Sequence, residues 1–405
     1  MGRAKAAIIS ILGVIAIVWG LVWGLAAAGA APQGGQELTP QQLEGKKAED
    51  VYKNIKELKG VPADQILPSM QFIAASLGVE CDYCHVRGAM DKDDKLPKET
   101  ARKMMRMMFA INKDNFEGHR DVTCYSCHHG AREPAPTPIL SVAEPPPMPP
   151  EGGPGHAGPG GAPTGGPGGP GPGGPPSGAP MRPPALPAGA ALIDKYVQAL
   201  GGADALAKIT SRIEKGKITA FGGQQFPIEV YAKAPDKRLS VMHAPQGDSI
   251  TAFDGQTGWL GFGGRPPRQM FAPEAEGAKL DADFRFATDL KQLYNRFRVF
   301  PPEKVGDADA YVVLARAEGK PPLRLYFDKE SGLLVRLIRY QDTPLGTNPT
   351  EIDYADYRDA DGTKVPFRWT LARPGGRFTI QVDELQQNVP VDDAKFALPA
   401  SKASP

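Results

Sequence analysis

Cysteine, histidine and net charge are all scarce in this chain: 405 residues carry four cysteines, six histidines and a formal net charge of +1. Balanced charge excludes the strong electrostatic attraction that nucleic acid or an anionic membrane surface requires. The four cysteines fall in two short motifs, which leaves none for a disulfide, a lipid attachment or a nucleophile. A phosphate-cradling glycine loop is also missing, because the glycine repeats lack a strand before them and a helix after them. The carboxy-terminal half holds one histidine, His243, and no cysteine. Several of its carboxylates sit in turns such as Asp254-Gly255 and Asp361-Gly362, where local hydrogen bonding accounts for them. No catalytic constellation is therefore read there.

What is present is concentrated in residues 68–130. Cys81-Asp82-Tyr83-Cys84-His85 and Cys124-Tyr125-Ser126-Cys127-His128 are two copies of the C-x-x-C-H pattern of covalent haem c attachment. The spacing has a chemical reason: each cysteine reaches one of two neighbouring vinyl groups on the porphyrin edge, and the following histidine turns an imidazole nitrogen towards the iron. Competing readings of paired C-x-x-C are a zinc ribbon, a redox pair and a structural disulfide. A zinc ribbon separates its pairs by roughly 15–20 residues, whereas residues 85–123 intervene here, and a redox pair needs no histidine after both repeats. Two haem c groups are expected, held by Cys81, Cys84, Cys124 and Cys127, with His85 and His128 as axial ligands.

The sixth iron ligand separates electron transfer, which a methionine thioether favours, from oxygen or peroxide chemistry, which needs an open position. Pro68 to Gly78 predicts a short helix with proline near its start and glycine at its stop. Met70 and Ala74 share one face of it, and the small residue lets the helix lie close over a flat ring. Lys98 to Asn112 predicts a longer helix with Met104, Met107, Met108 and Ile111 on one stripe. Methionine is also ordinary flexible core filling, so pattern alone leaves Met104, Met105, Met107 and Met108 open between the two roles.

The run from Gly60-Val61-Pro62-Ala63-Asp64 through Met70-Gln71-Phe72 to the first motif, then Ala101-Arg102-Lys103-Met104-Met105-Arg106-Met107, Asn112 and Val122-Thr123-Cys124, resembles the cytochrome c subunit of photosynthetic reaction centres. The resemblance covers about residues 49–133. It implies a helix, haem, helix, haem order, one half of a four-haem subunit, and electron carriage to a membrane redox complex or a soluble redox protein. By position it implies Met70 opposite His85 and Met104 opposite His128, with Met107 or Met108 reached by a one-turn shift. The departures are two motifs in place of four and no cysteine near the amino terminus for a lipid anchor. A photosynthetic partner thus follows from the family and not from these residues. His119 lies in a loop whose histidine can, in four-haem relatives, ligate a haem this sequence does not encode; an exposed loop histidine is the simpler reading, as for His129.

Arg3 and Lys5 precede an apolar run from Ala6 to Ala31, broken only by Ser10. This predicts export into the periplasm, with residues 1–31 as a cleaved signal peptide or a retained inner-membrane anchor. Residues 32–48 form a polar spacer, and residues 49–133 a small all-α dihaem domain that opens on an amphipathic helix, Glu49 to Lys59. After the first haem motif comes a charged loop, Asp91 to Lys98, and then a basic stripe of Lys98, Arg102 and Arg106, solvated or turned to an acidic partner or the haem propionates. Residues 134–189 form a disordered Pro/Gly-rich linker carrying His156, because such composition buries no core. Glycine does not recur every third residue, which excludes collagen.

Residues 190–400 predict an α+β domain with a curved antiparallel sheet. A helix from Ala191 to Leu206 breaks at Gly201-Gly202, Leu323 to Phe327 returns through Val335, Leu337 and Tyr340, Tyr354 to Trp369 turns at Asp359-Ala360-Asp361-Gly362, and Val389 to Leu398 closes the region. This pattern resembles the half-barrel of periplasmic lipoprotein carriers. The resemblance implies a hydrophobic ligand under a lid helix drawn from Ala282 to Phe297 or from the initial helix; a half-barrel that only fills itself or meets a partner is equally open. Three functions follow: a dihaem electron carrier; a dihaem peroxidase-type enzyme with one displaceable sixth ligand; or a hydrophobic-ligand or lipid-binding protein with a redox-active haem module.

Overall fold

The computed structural model describes residues 40–134, 186–220, 223–374 and 376–399. The apolar segment at 6–31 and nearly all of the Pro/Gly-rich stretch lie outside them. No helix among the described residues is long and apolar enough to cross a membrane.

The first region is helical. Short α1 (Pro40–Leu43) and α2 (Ala48–Val51) precede a 3-10 turn, Ala63–Gln65, and α3 (Ile66–Leu77). One-turn α4 (Cys81–Cys84) and α6 (Cys124–His128) flank α5 (Leu96–Asn115). Helix α3 stops where expected: Gly78 takes φ 64, a left-handed cap that glycine adopts at little cost. Proline in the first turn of α5, Glu99 beside it and Lys113 in the last turn suit that helix's ends and dipole. The helix expected over Glu49 to Lys59 is confined to Ala48–Val51. Asn54 sits at φ 63, its amide donates to Asp93 at 2.8 Å and its carbonyl accepts from Arg102, so local side-chain bonding displaces the helical ladder. Ala48, Leu58, Ile66, Phe72, Met105 and Met108 form this region's core.

The second region opens with α7 (Gly189–Ala199) and α8 (Ala203–Ala207), parted at Gly201 and Gly202. Strands β1 (Ser211–Thr219), β2 (Gln225–Lys233), β3 (Lys237–Ala244), β4 (Gly247–Asp254), β5 (Gly258–Phe262) and β6 (Arg268–Gln269) form one antiparallel meander. After α9 (Ala272–Ala282) and α10 (Phe286–Leu293) come β7 (Arg296–Val305), β8 (Ala308–Arg316), β9 (Leu323–Asp328), β10 (Leu334–Thr343), β11 (Gly346–Ala360), β12 (Thr363–Arg373) and β13 (Gly376–Gln387). Pairing of β1 with β13 joins the two meanders into a single 13-stranded curved sheet in the order β6-β5-β4-β3-β2-β1-β13-β12-β11-β10-β9-β8-β7. Edge strands β6 and β7 do not pair with each other, so the sheet is an open half-barrel.

Alternating side chains put one face of the sheet against the helices, and on β8 and β9 the other face is buried as well, around Ala310, Val312 and Tyr326. Leu192, Ile193 and Tyr196 of α7 and Leu290 of α10 pack on Val313, Leu325, Phe327 and Leu337. The helix expected between Ala282 and Phe297 is α10, and α9 before it is an addition. The closing segment at Val389 to Leu398 is not a strand: it coils through a 3-10 turn at Asp393–Lys395 and inserts Phe396, fully buried, beside Trp259, whose indole donates to the Phe396 carbonyl at 2.7 Å. The β10–β11 turn reaches the helical region, where Leu345 joins the core.

Candidate haem-binding site

Each cysteine pair brackets a single helical turn, α4 or α6, and its histidine lies at the carboxy-terminal end of that turn. Thr123 caps α6, with its backbone N–H donating to Ser126 Oγ at 3.0 Å. Among the described residues no cysteine is in a disulfide, and burial pushes the thiols of Cys81, Cys84 and Cys124 upward.

The histidines are oriented alike. His85 donates Nδ1–H to the Met90 carbonyl at 2.8 Å, and His128 donates Nδ1–H to the Ala131 carbonyl at 2.9 Å. A carbonyl oxygen only accepts, so the proton is on Nδ1 and the Nε2 lone pair is left for a metal. Burial, with Lys98 and Arg102 nearby, holds His85 below the ordinary imidazole range and keeps it neutral, the form that ligates. The residues present therefore fit haem c.

Met70 is half-buried on α3 against the core of the region. On α5 the methionines divide. Met105 and Met108 are buried in the core, whereas Met104 and Met107 are 39% and 48% exposed. Met108 therefore does not share the open face of Met104 and Met107, as the stripe expected; it lies on the inward face with Lys98, Arg102, Met105 and Asn112. Tyr83, Tyr125 and Phe116 are further large apolar side chains left open around the motifs.

The two motifs are packed through α3. Gly130, just past the second motif, donates its N–H to the Ser76 carbonyl at 2.9 Å, and a Cβ on Gly78 would lie 2.1 Å from the Gly130 oxygen. Asn112 ties α5 to the same strand of chain, donating to Val122 O at 2.7 Å and accepting from Val122 N at 2.9 Å.

Sequence reading missed a charged cluster beside the first motif. Lys98 and Arg102 are buried and not a solvated stripe; only Arg106 is exposed, and it pairs with Glu57. Asp93 gathers Lys98 at 3.1 Å, Arg102 at 2.9 Å, Lys56 at 2.9 Å and the Asn54 amide. Arg102 and Lys56 hold its carboxyl far below the usual carboxylate range. His119 and His129 are exposed, His129 edge-on to the Tyr125 ring, and His243 lies on β3 bonded to Asp248 at 2.9 Å.

Two C-x-x-C-H motifs on one-turn helices, each with a histidine oriented for a metal, match the residue set of a c-type cytochrome segment. Residues 26–149 match the family model of the photosynthetic reaction centre cytochrome C subunit. The chain is similar to the photosynthetic reaction center cytochrome c subunit of Thermochromatium tepidum, 34% identical over 91 residues, 21% of this chain and 22% of that protein. It is also similar to cytochrome c-554 of Chloroflexus aurantiacus, 34% identical over 85 residues, 19% of this chain and 20% of that one. The chain thus spans about a fifth of the length of these curated relatives. Among solved structures, its carboxy-terminal region is similar to a putative outer membrane lipoprotein-sorting protein domain from Vibrio parahaemolyticus, with TM-score 0.38, 13% identity, and coverage of 51% of this chain and 95% of that one. A LolA superfamily protein from Nitrosomonas europaea gives TM-score 0.36, 12% identity, and coverage of 52% and 98%.

Proposed function

We propose that residues 49–133 form a dihaem c-type cytochrome module that carries electrons in the periplasm, in a chain exported by residues 1–31 and divided further into a spacer at 32–48, a linker at 134–189 and the half-barrel at 190–400. The observation that carries this reading is the duplicated Nδ1–H bond to a backbone carbonyl, His85 to Met90 and His128 to Ala131. A structural disulfide or redox pair has no use for that second bond.

Cys81 with Cys84 and Cys124 with Cys127 would attach the two groups, and His85 and His128 would supply a nitrogen to each iron. Haem c, when bound, supplies a reversible one-electron couple at its iron. Met70 would supply a thioether to the first iron and Met104 to the second. Met105 and Met108 are taken up by the core, and Met107, one turn along the open face from Met104, is the alternative. An exposed methionine stripe on an otherwise charged helix lacks a cover, which a flat apolar ring would supply. Thioethers on both irons favour a carrier over a peroxidase-type enzyme. The partner is a membrane redox complex or a soluble redox protein.

The test is a haem count. Purified from a host that matures c-type haems, the full chain should carry two covalent haems by intact mass and pyridine haemochrome absorbance. Cys84→Ser and Cys127→Ser should each impair attachment at one site only. A wild-type chain with one haem or none contradicts the proposal.

A further inference from the structure

The β10–β11 turn does not end in solvent. Leu345, near its tip, is fully buried with Ala48, Leu58, Ile66, Phe72 and Met108, and Met70 and Cys124 pack on the same cluster. Thr343 folds the turn on itself, its hydroxyl donating to the Gly346 carbonyl at 2.7 Å and accepting from the Gly346 N–H at 3.1 Å. The Thr343 hydroxyl is thus satisfied inside the contact. Gly346 lies against Phe72 so closely that a Cβ there would meet the ring at 2.1 Å. Buried Asn348 donates to the Pro68 carbonyl in the first turn of α3 at 3.0 Å. Arg120, in the loop before the second motif, donates to the Thr343 carbonyl and pairs with Asp342.

One turn of the sheet therefore grips the helix that carries Met70 and the loop that leads to Cys124. A turn that merely reversed the chain would place polar residues here; this one places leucine at its apex and glycine where only glycine fits. We infer that the tip is a positioning element for the first axial methionine: by filling the core beneath α3, it raises the free energy of the local opening in which Met70 leaves its iron. The inference rests on the reading of Met70 as that ligand. An added ligand competes only with the opened state, so its apparent affinity scales with the fraction open.

The test uses the full-length, haem-loaded chain. The ferric protein is titrated with imidazole while the near-infrared charge-transfer band of thioether-ligated haem is followed; Met70→Ala assigns the first haem's share of that band. Leu345→Ala should let imidazole displace Met70 at about tenfold lower concentration, because only part of the cost of cutting back a buried leucine falls on the local opening and the rest on global unfolding. Leu345→Met, which conserves volume, should behave as wild type. Asn348→Ala should shift the titration in the same direction and serves if Leu345→Ala does not mature. Wild-type imidazole affinity at the first haem in both Leu345→Ala and Asn348→Ala, or in Asn348→Ala where Leu345→Ala does not mature, overturns the inference. A wild-type protein whose first haem has no thioether band overturns instead the assignment of Met70, and this inference with it.

Discussion

His85 and Lys98 share one acceptor, the Met90 carbonyl oxygen, which takes Nδ1–H from the first at 2.8 Å and Nζ–H from the second at 2.9 Å. The ammonium draws electron density from that oxygen and so weakens its pull on the imidazole proton. A less anionic imidazole and a nearby positive charge both favour the reduced iron. Lys98→Met should therefore lower the first haem's potential by about 50 mV, roughly 1 kcal/mol for one electron, and leave the second unchanged. A potentiometric titration checks this; a potential that stays or rises refutes it. Asp93 keeps Arg102 and Lys56 as partners in the variant.

Asp93 sets an acid limit on the helical region. Its folded pKa lies below the unfolded value, so the stabilisation is fully present above about pH 4 and is lost as pH falls towards the folded value. Denaturant midpoints of wild type should drop between pH 5 and pH 3, in approximate terms. Asp93→Asn should begin less stable at pH 7 and lose less over the same interval; parallel curves would remove Asp93 as the cause.

Asp283 acts with the opposite sign. Burial, reinforced by Asp289 and Asp236, pushes its carboxyl up to about 6. A raised folded pKa means that its contribution to stability is fully present below the unfolded value of about 4 and is lost as pH rises through 6. Asp283→Asn should thus stabilise the sheet domain at pH 7.5 by about 1 kcal/mol, after allowance for solvent screening, and make no difference near pH 4. Thermal melts at the two pH values decide it.

Two glycines with left-handed backbone separate strain from contact. Gly60, at φ 81, has nothing within 4 Å of an added Cβ, so Gly60→Ala should cost only the backbone penalty of about 1 kcal/mol. Gly78, at φ 64, faces the Gly130 carbonyl at 2.1 Å. Gly78→Ala should cost at least about twice as much and loosen α3 from the second motif. Equal costs in chemical denaturation would mean that the approach of α3 to Gly130 is not tight.

What was legible in the sequence was local. The Gly78 stop, the return after Leu323 to Phe327, the turn at Asp359 to Gly362 and the break at Gly201-Gly202 each follow from residues within a few positions of one another. What was hidden depends on distant partners. Helical period sorts α5 into faces but does not say which face turns inward, and Lys98 and Arg102 do so because Asp93 and the Asn54 carbonyl receive them. Met108 parts from Met104 for the same reason. Helix α9 shows no apolar stripe, and its Gly277 is where Arg339 lies against the backbone, a Cβ there being 3.3 Å from the guanidinium. The grip of the β10–β11 turn joins Asn348 to Pro68 across 280 residues of sequence, beyond the reach of any local pattern.

On the proposed function, each iron is held by one histidine and one methionine. Low-temperature EPR with near-infrared magnetic circular dichroism on the oxidised full-length protein tests it most directly, with wild type compared against Met70→Ala and Met104→Ala. Two low-spin histidine–methionine signatures are expected in wild type, one of them lost in each variant. A high-spin iron in wild type, or a bis-histidine signature through His119, would contradict it.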